Sequence, residues 1–203
     1  MSIDSYIEQS KPAIQHLFNG LHEYDSIRLP SIMDYIVDTG LVRMTKEENK
    51  EFLGIYEEHF SREFSRASLA GSILQIAYIG IKKYSPNPNI SEECIGFGVN
   101  PGTTAASFCL GRSIKGIPEG LLIFAGRIQY NHWEEGEPNR SVAKNVFRQL
   151  VRVYYDNQFF DMAYVLDYPS PRPVSHYIVR LELGWNTYED YESSIRLMLN
   201  KRK

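Results

Sequence analysis

Ile14, Leu17, Phe18 and Leu21 recur at intervals of three and four, the spacing that gathers side chains on one face of a helix. Pro12 fits the first position of that helix, where no backbone N–H is needed. Pro30 and Ser31 precede a short helix carrying Ile32, Met33, Tyr35 and Ile36, with Gly40 as its stop. Thr45-Lys46-Glu47-Glu48 reads as a capping box, in which a hydroxyl and a carboxylate satisfy two otherwise orphaned N–H groups. Phe52, Tyr56, Phe60 and Phe64 follow at four-residue spacing, and Leu69, Ile73, Ile76 and Ile79 continue the stripe. The pattern predicts one long helix, or two broken near Ser61 to Ser68, ending about Tyr84 before Pro86 and Pro88.

Residues 85–103 read as an irregular connection, followed by a helix over about 103–112 and a turn. Pro118 opens a helix carrying Leu121, Leu122, Phe124, Ala125 and Ile128, which Gly136 and Pro138 break. Ser141 caps the next, whose buried face is Val142, Val146, Leu150 and Val153. Helix and strand templates fit 159–168 equally, whereas Tyr177, Val179, Leu181 and Leu183 alternate with Ile178, Arg180 and Glu182 and predict a strand. Asn186 with Glu189 caps a closing helix to about Leu199. The expectation is a mainly α protein, a multi-helix bundle with a short β-hairpin near the C-terminus. It forms a single domain over 1–203, with its core at about 45–155 and a mixed segment at about 159–203.

Composition narrows the function classes. With 203 residues and 43% apolar positions, the chain can bury a core without disulfide or metal. Twenty-two Lys+Arg against 25 Asp+Glu give −3, too balanced for a protein wrapped in nucleic acid by bulk charge. The run from Leu121 to Ala125 falls far short of the roughly 20 apolar residues that span a bilayer. The N-terminus lacks the basic start and apolar core of a signal peptide, so a cytoplasmic location and no membrane partner are expected. Cys94 and Cys109 form no Cys-x-x-Cys pair. His16, His22, His59, His132 and His176 form no ligand cluster, and Glu57-Glu58-His59 lacks the Glu-x-x-His spacing, so neither metal nor cofactor is expected. The Gly-rich run Gly96 to Thr104 lacks the Gly-Lys-Ser/Thr of a phosphate loop; a turn capped by Thr103 or Thr104 accounts for it.

The segment Ala125-Gly126-Arg127-Ile128-Gln129-Tyr130-Asn131-His132-Trp133 places an Arg and a His late in a helix with four residues between them. It resembles the Arg-x4–6-His signature of HEPN domains, although Ile128 stands where family members usually carry a polar residue. The resemblance implies a four-helix-type bundle, a homodimer, and a metal-independent endoribonuclease or RNA-binding domain. It makes His132 the acid/base group in attack of a 2′-hydroxyl on the adjacent phosphodiester, and Arg127 the cation that holds the phosphate. Asn131, one turn from Arg127, would orient substrate or the Arg. Lys144, Arg148 and Arg152 form a basic stripe on the following helix, suited to phosphates. In a straight helix Arg127 and His132 project about 140° apart, so the helix must unwind at Asn131 or a second subunit must complete the site.

His132 also shares the helical face of Phe124, Ala125 and Ile128, which allows a second reading: a non-enzymatic helical protein-interaction domain with Arg127 and His132 holding the bundle. A third reading is a small-molecule pocket formed by the Gly-rich 95–103 loop and the 112–118 turn. The enzyme reading requires Arg127 and His132 in one cleft, the second a buried His132, and the third a concavity near Gly102 and Arg112. Tyr154, Tyr155, Phe159, Phe160 and Tyr164 read as core rather than as stacking residues, and Pro169 to Pro173 as a rigid turn or a docking segment for a partner.

Overall fold

The buried face of the first helix, α1 (Ile3–Ser26), is Ile7, Ile14, Phe18 and Leu21. In the computed structural model, which describes residues 2–26, 46–85, 90–135, 141–156 and 173–199, Pro12 lies inside this helix rather than at its start. The first turns are held by what they pack against: Ile7 is fully buried, and the Tyr6 hydroxyl donates to the Ile76 carbonyl at 2.7 Å. These contacts offset the hydrogen bond that proline cannot make.

Helix α2 (Lys46–Tyr84) runs 39 residues unbroken through Ser61 to Ser68, the first of the two forms the pattern allows. Serine hydroxyls in the helix bond back to carbonyls one turn earlier, Ser65 to Ser61 and Ser72 to Ser68, and so are satisfied without leaving it. Its deepest face is formed by Ala67, Ala70, Ile73, Leu74, Ala77 and Ile81. Phe60, Phe64 and Ile79 of the expected stripe are exposed instead, because small residues let the neighbouring helices approach on the adjoining face. The expected helix at 31–40, Thr45 of the capping box, the side chains of Phe52 and Tyr56, the break at 136–139 and the segment 159–168 lie outside the described residues.

Ser91 caps the short α3 (Glu92–Gly96), accepting from the Cys94 amide. The helix expected over 103–112 is only a 3-10 turn at Thr104–Phe108. The chain then makes a two-stranded antiparallel hairpin, β1 (Ser113–Ile114) and β2 (Ile117–Pro118), with Ser113 opposite Pro118 and Ile114 opposite Ile117. Lys115 and Gly116 between them have φ of 53° and 75°, the two positive values of a tight hairpin turn. This hairpin precedes α4 (Glu119–His132), for which Pro118 is the N-cap; a 3-10 turn at Trp133–Glu135 follows. In α5 (Ser141–Asp156), Val142, Val146 and Leu150 are buried as the periodicity requires.

Residues 177–182 are helical, not a strand. Helix α6 (Ser175–Tyr177) widens into a π-type turn over Ile178–Glu182, closed by the Leu183 amide on the Ile178 carbonyl at 2.9 Å. That turn buries Ile178, Val179, Glu182 and Leu183 while Leu181 stays exposed, a division no alternating strand would give. The closing helix α7 (Tyr188–Leu199) is capped one residue later than expected: Asp190 accepts from the Asn186 and Thr187 amides, and the Thr187 hydroxyl accepts from the Asp190 amide. The core cluster draws on α1 and on 174–199 as well as on 45–155, with Trp185, Tyr191, Phe108 and Phe147 among its largest members. The protein is mainly α. Among the described residues no helix is long and apolar enough to cross a membrane.

Candidate functional site

The last two turns of α4 lie antiparallel on α2. Gly126 meets Leu74, Arg127 meets Gln75, Tyr130 covers Gly71, and Trp133 packs edge-on against Phe64 with ring centroids 5.9 Å apart. This register fixes Arg127. Its Nε donates to Gln75 Oε1 at 2.8 Å, and its Cζ lies 4.7 Å above the centre of the Tyr78 ring. With the Asn131 amide turned so that its oxygen faces the guanidinium, that oxygen accepts from Arg127 Nε at 2.9 Å and Nη2 at 3.2 Å. Arg66, Arg112, Arg180 and Arg196 each contact a carboxylate. Among the described residues Arg127 contacts none, and neutral amides and a ring hold it without cancelling its charge.

Arg127 and Asn131 are therefore brought together, as their one-turn spacing implies. Asn131 is exposed, and Arg127 and His132 are each half-buried. Regular α-helix continues through His132 and tightens only from Trp133, so no unwinding at Asn131 swings His132 toward Arg127. Sequence reasoning missed Gln75 and Tyr78 as the seat of Arg127. The available signal was a lone amide at position 75, between the apolar Leu74 and Ile76 of α2.

Along α5, Arg148 and Arg152 are exposed and Lys144 is half-buried. Arg148 and Arg152 line an open concavity of about 410 Å³ together with Glu93, Gly96, Phe97, Gly116, Asn145 and Gln149. Two amides of α5 hold its far wall: Asn145 Nδ2 donates to the Phe97 carbonyl at 3.1 Å and Gln149 Nε2 to the Lys115 carbonyl at 3.3 Å. Arg112 belongs to a second concavity of about 270 Å³, beside Glu119, Trp185, Asp190 and Ser194. The small-molecule reading needed Gly102 and Arg112 around one space. Instead Gly102 lines neither concavity, and only the start of the Gly-rich run reaches the first. Arg127, Asn131 and His132 line neither.

A cluster of charge that the sequence did not reveal lies behind the hairpin turn. Lys115 Nζ donates to Glu182 Oε2 at 2.8 Å and to the Tyr154 hydroxyl at 2.6 Å, and that hydroxyl donates to Glu182 Oε1 at 2.7 Å. Burial pulls the Lys115 ammonium toward deprotonation, but the hydrogen bonds to Glu182 and Tyr154 outweigh it and hold the group above its ordinary value. Tyr154 is pushed up by burial and by Glu182. Of the other aromatics read as core, Tyr155 is 67% exposed, and Phe159, Phe160 and Tyr164 lie outside the described residues. Burial first, and then the neighbouring Cys94, pushes the Cys109 thiol well up, which disfavours a thiolate nucleophile. Among the described residues no group of three or more His, Cys, Asp or Glu is placed to hold a metal ion. Compared with protein-family models, curated proteins and solved structures, the chain has no match.

Proposed function

We propose that the chain is a HEPN-like RNA-binding domain that cleaves phosphodiesters without metal through Arg127, Asn131 and His132. The observation that carries this reading is the seating of Arg127: a half-buried guanidinium near the end of α4, fixed by Gln75, Tyr78 and Asn131 and contacting no carboxylate among the described residues. A cation held in this way keeps its attraction for an anion, and its geometry is set before the ligand arrives.

In the reaction, His132 takes the proton of an RNA 2′-hydroxyl as that oxygen attacks the adjacent phosphorus. The O2′–P bond forms, the P–O5′ bond breaks, and the products are a 2′,3′-cyclic phosphate and a 5′-oxygen that takes a proton from water to become a hydroxyl. Arg127 stabilises the charge that grows on the phosphoryl oxygens.

Because α4 is straight through His132, the Arg127 of one chain and the His132 of a second copy form the working pair. The exposed apolar side chains Leu53, Phe60 and Phe64 on α2 lead up to Trp133, the residue after His132, and offer that second copy a face. The deciding experiment is cleavage of a mixed-sequence RNA in EDTA by the wild type and by His132→Ala. EDTA-resistant cleavage that the substitution abolishes, at little change in melting temperature, is the expected result. Cleavage retained by His132→Ala removes this mechanism.

A further inference from the structure

We propose that the concavity between α3, the β1–β2 turn and α5 binds a phosphate group held by Arg148 and Arg152. The two arginines are four residues apart on one face of α5, both exposed and both lining the same space. Guanidinium groups one helical turn apart present their forked N–H donors side by side, the arrangement that grips a phosphate through paired charge-assisted bonds.

Two further features suit the space to an anion. The Phe97 and Lys115 carbonyls, acceptors that would repel a phosphate, are engaged by the Asn145 and Gln149 amides, which line the space from the same helix as the two arginines. Glycines stand at the approach: a Cβ built on Gly96 meets nothing within 4 Å, and one on Gly116 meets only the Gln149 amide, at 3.6 Å. A ligand can therefore come close to the main chain there. At about 410 Å³ the space exceeds a bare phosphate and leaves room for the sugar to which one is attached.

Among the described lining residues one carboxylate opposes binding. Glu93 also lines the concavity and is held there by the Ser113 hydroxyl, which donates to Glu93 Oε1 at 2.9 Å. Among the described lining residues two arginines face one glutamate, a balance that suits one phosphate group rather than a run of them. The phosphate can be carried by a free nucleotide or by an RNA strand, and the site does not require the Arg127–His132 chemistry.

Direct binding tests it, using the full chain with inorganic phosphate and adenosine monophosphate by calorimetry, and a short single-stranded RNA by fluorescence anisotropy. Arg148→Gln and Arg152→Gln should each weaken phosphate binding about tenfold, the loss of one charge-assisted contact. Arg148→Lys should retain part of the affinity, and Glu93→Gln should tighten binding about threefold by removing the opposing charge. Adenosine monophosphate bound as tightly as RNA assigns the site to a free nucleotide; salt-sensitive binding to RNA well above that of the mononucleotide assigns it to a strand. No saturable binding of any of the three probes, or binding unmoved in the Arg148→Gln/Arg152→Gln double variant, overturns the proposal. A protein that binds phosphate here but cleaves no RNA sinks the nuclease reading and leaves this site standing.

Discussion

Lys115 Nζ stands 2.8 Å from Glu182 Oε2, which joins a lysine in a left-handed turn to a fully buried carboxylate in a π-type turn 67 residues away. Each half is unfavourable alone. A side chain at φ 53° costs on the order of 1 kcal/mol relative to glycine, and a carboxylate without a cation in the interior costs several. Lys115→Met should therefore destabilise the protein by about 3 kcal/mol in chemical denaturation, even though Tyr154 still donates to Glu182. Lys115→Gly, which loses the same ammonium but relieves the backbone, should be the milder variant by about 1 kcal/mol. Equal losses in the two would show that the turn carries no strain.

Two glycines of α2 should respond to alanine with opposite signs. Nothing lies within 4 Å of a Cβ built on exposed Gly54, so Gly54→Ala gains helix propensity and should stabilise by up to about 1 kcal/mol. The same atom on Gly71 would stand 2.4 Å from the Tyr130 ring. Gly71→Ala must push α4 off α2 near Arg127 and His132, at about 1–3 kcal/mol. Thermal melts of the pair check this, and a stabilised Gly71→Ala would mean that the two helices do not pack in this register.

Much of this architecture was legible in the sequence, for reasons that also mark the limits. Ile14, Phe18 and Leu21, and Val142, Val146 and Leu150, each face the core because a single polar side alternates with a single apolar one. The reading failed where burial is asymmetric within a short segment. Tyr177 to Leu183 alternates like a strand, but the burial of Ile178, Val179 and Glu182 needs a widened helical turn, and the reason for burying Glu182 lies at Lys115. At the candidate site, Arg127 and Asn131 could be paired from their spacing alone. Gln75 and Tyr78 could not, because their approach depends on Gly71 and Gly126 letting two helices come close.

The composite-site reading predicts that assembly and activity fall together. Phe60 is 45% exposed on α2 and Phe64 42%, each a cost in water unless covered. Phe60→Glu should shift the protein from dimer to monomer in light scattering and abolish EDTA-resistant RNA cleavage while leaving the helical circular dichroism intact. A monomeric wild type that cleaves RNA would remove the second copy from the mechanism.

Alkaline pH should unfold the protein through its buried phenols. Burial, with Tyr84 adding, pushes the Tyr6 hydroxyl up to about 12; burial, with Glu192 adding, does the same for Tyr188. Tyr191 is raised further by burial. A phenol raised in the folded state is protonated there when its unfolded counterpart, near 10, begins to ionise. The stabilisation is thus complete below about pH 10 and is lost as pH climbs from there through the folded value. Tyr6 gives the most direct readout, since its hydroxyl donates to the Ile76 carbonyl and ties α1 to α2. The wild type should lose helical circular dichroism above about pH 10 in step with phenolate absorbance, and Tyr6→Phe, which has no proton to lose, should move that transition upward. Phenolate appearing well before the helix signal falls would show that these tyrosines titrate in the folded protein without being coupled to its stability.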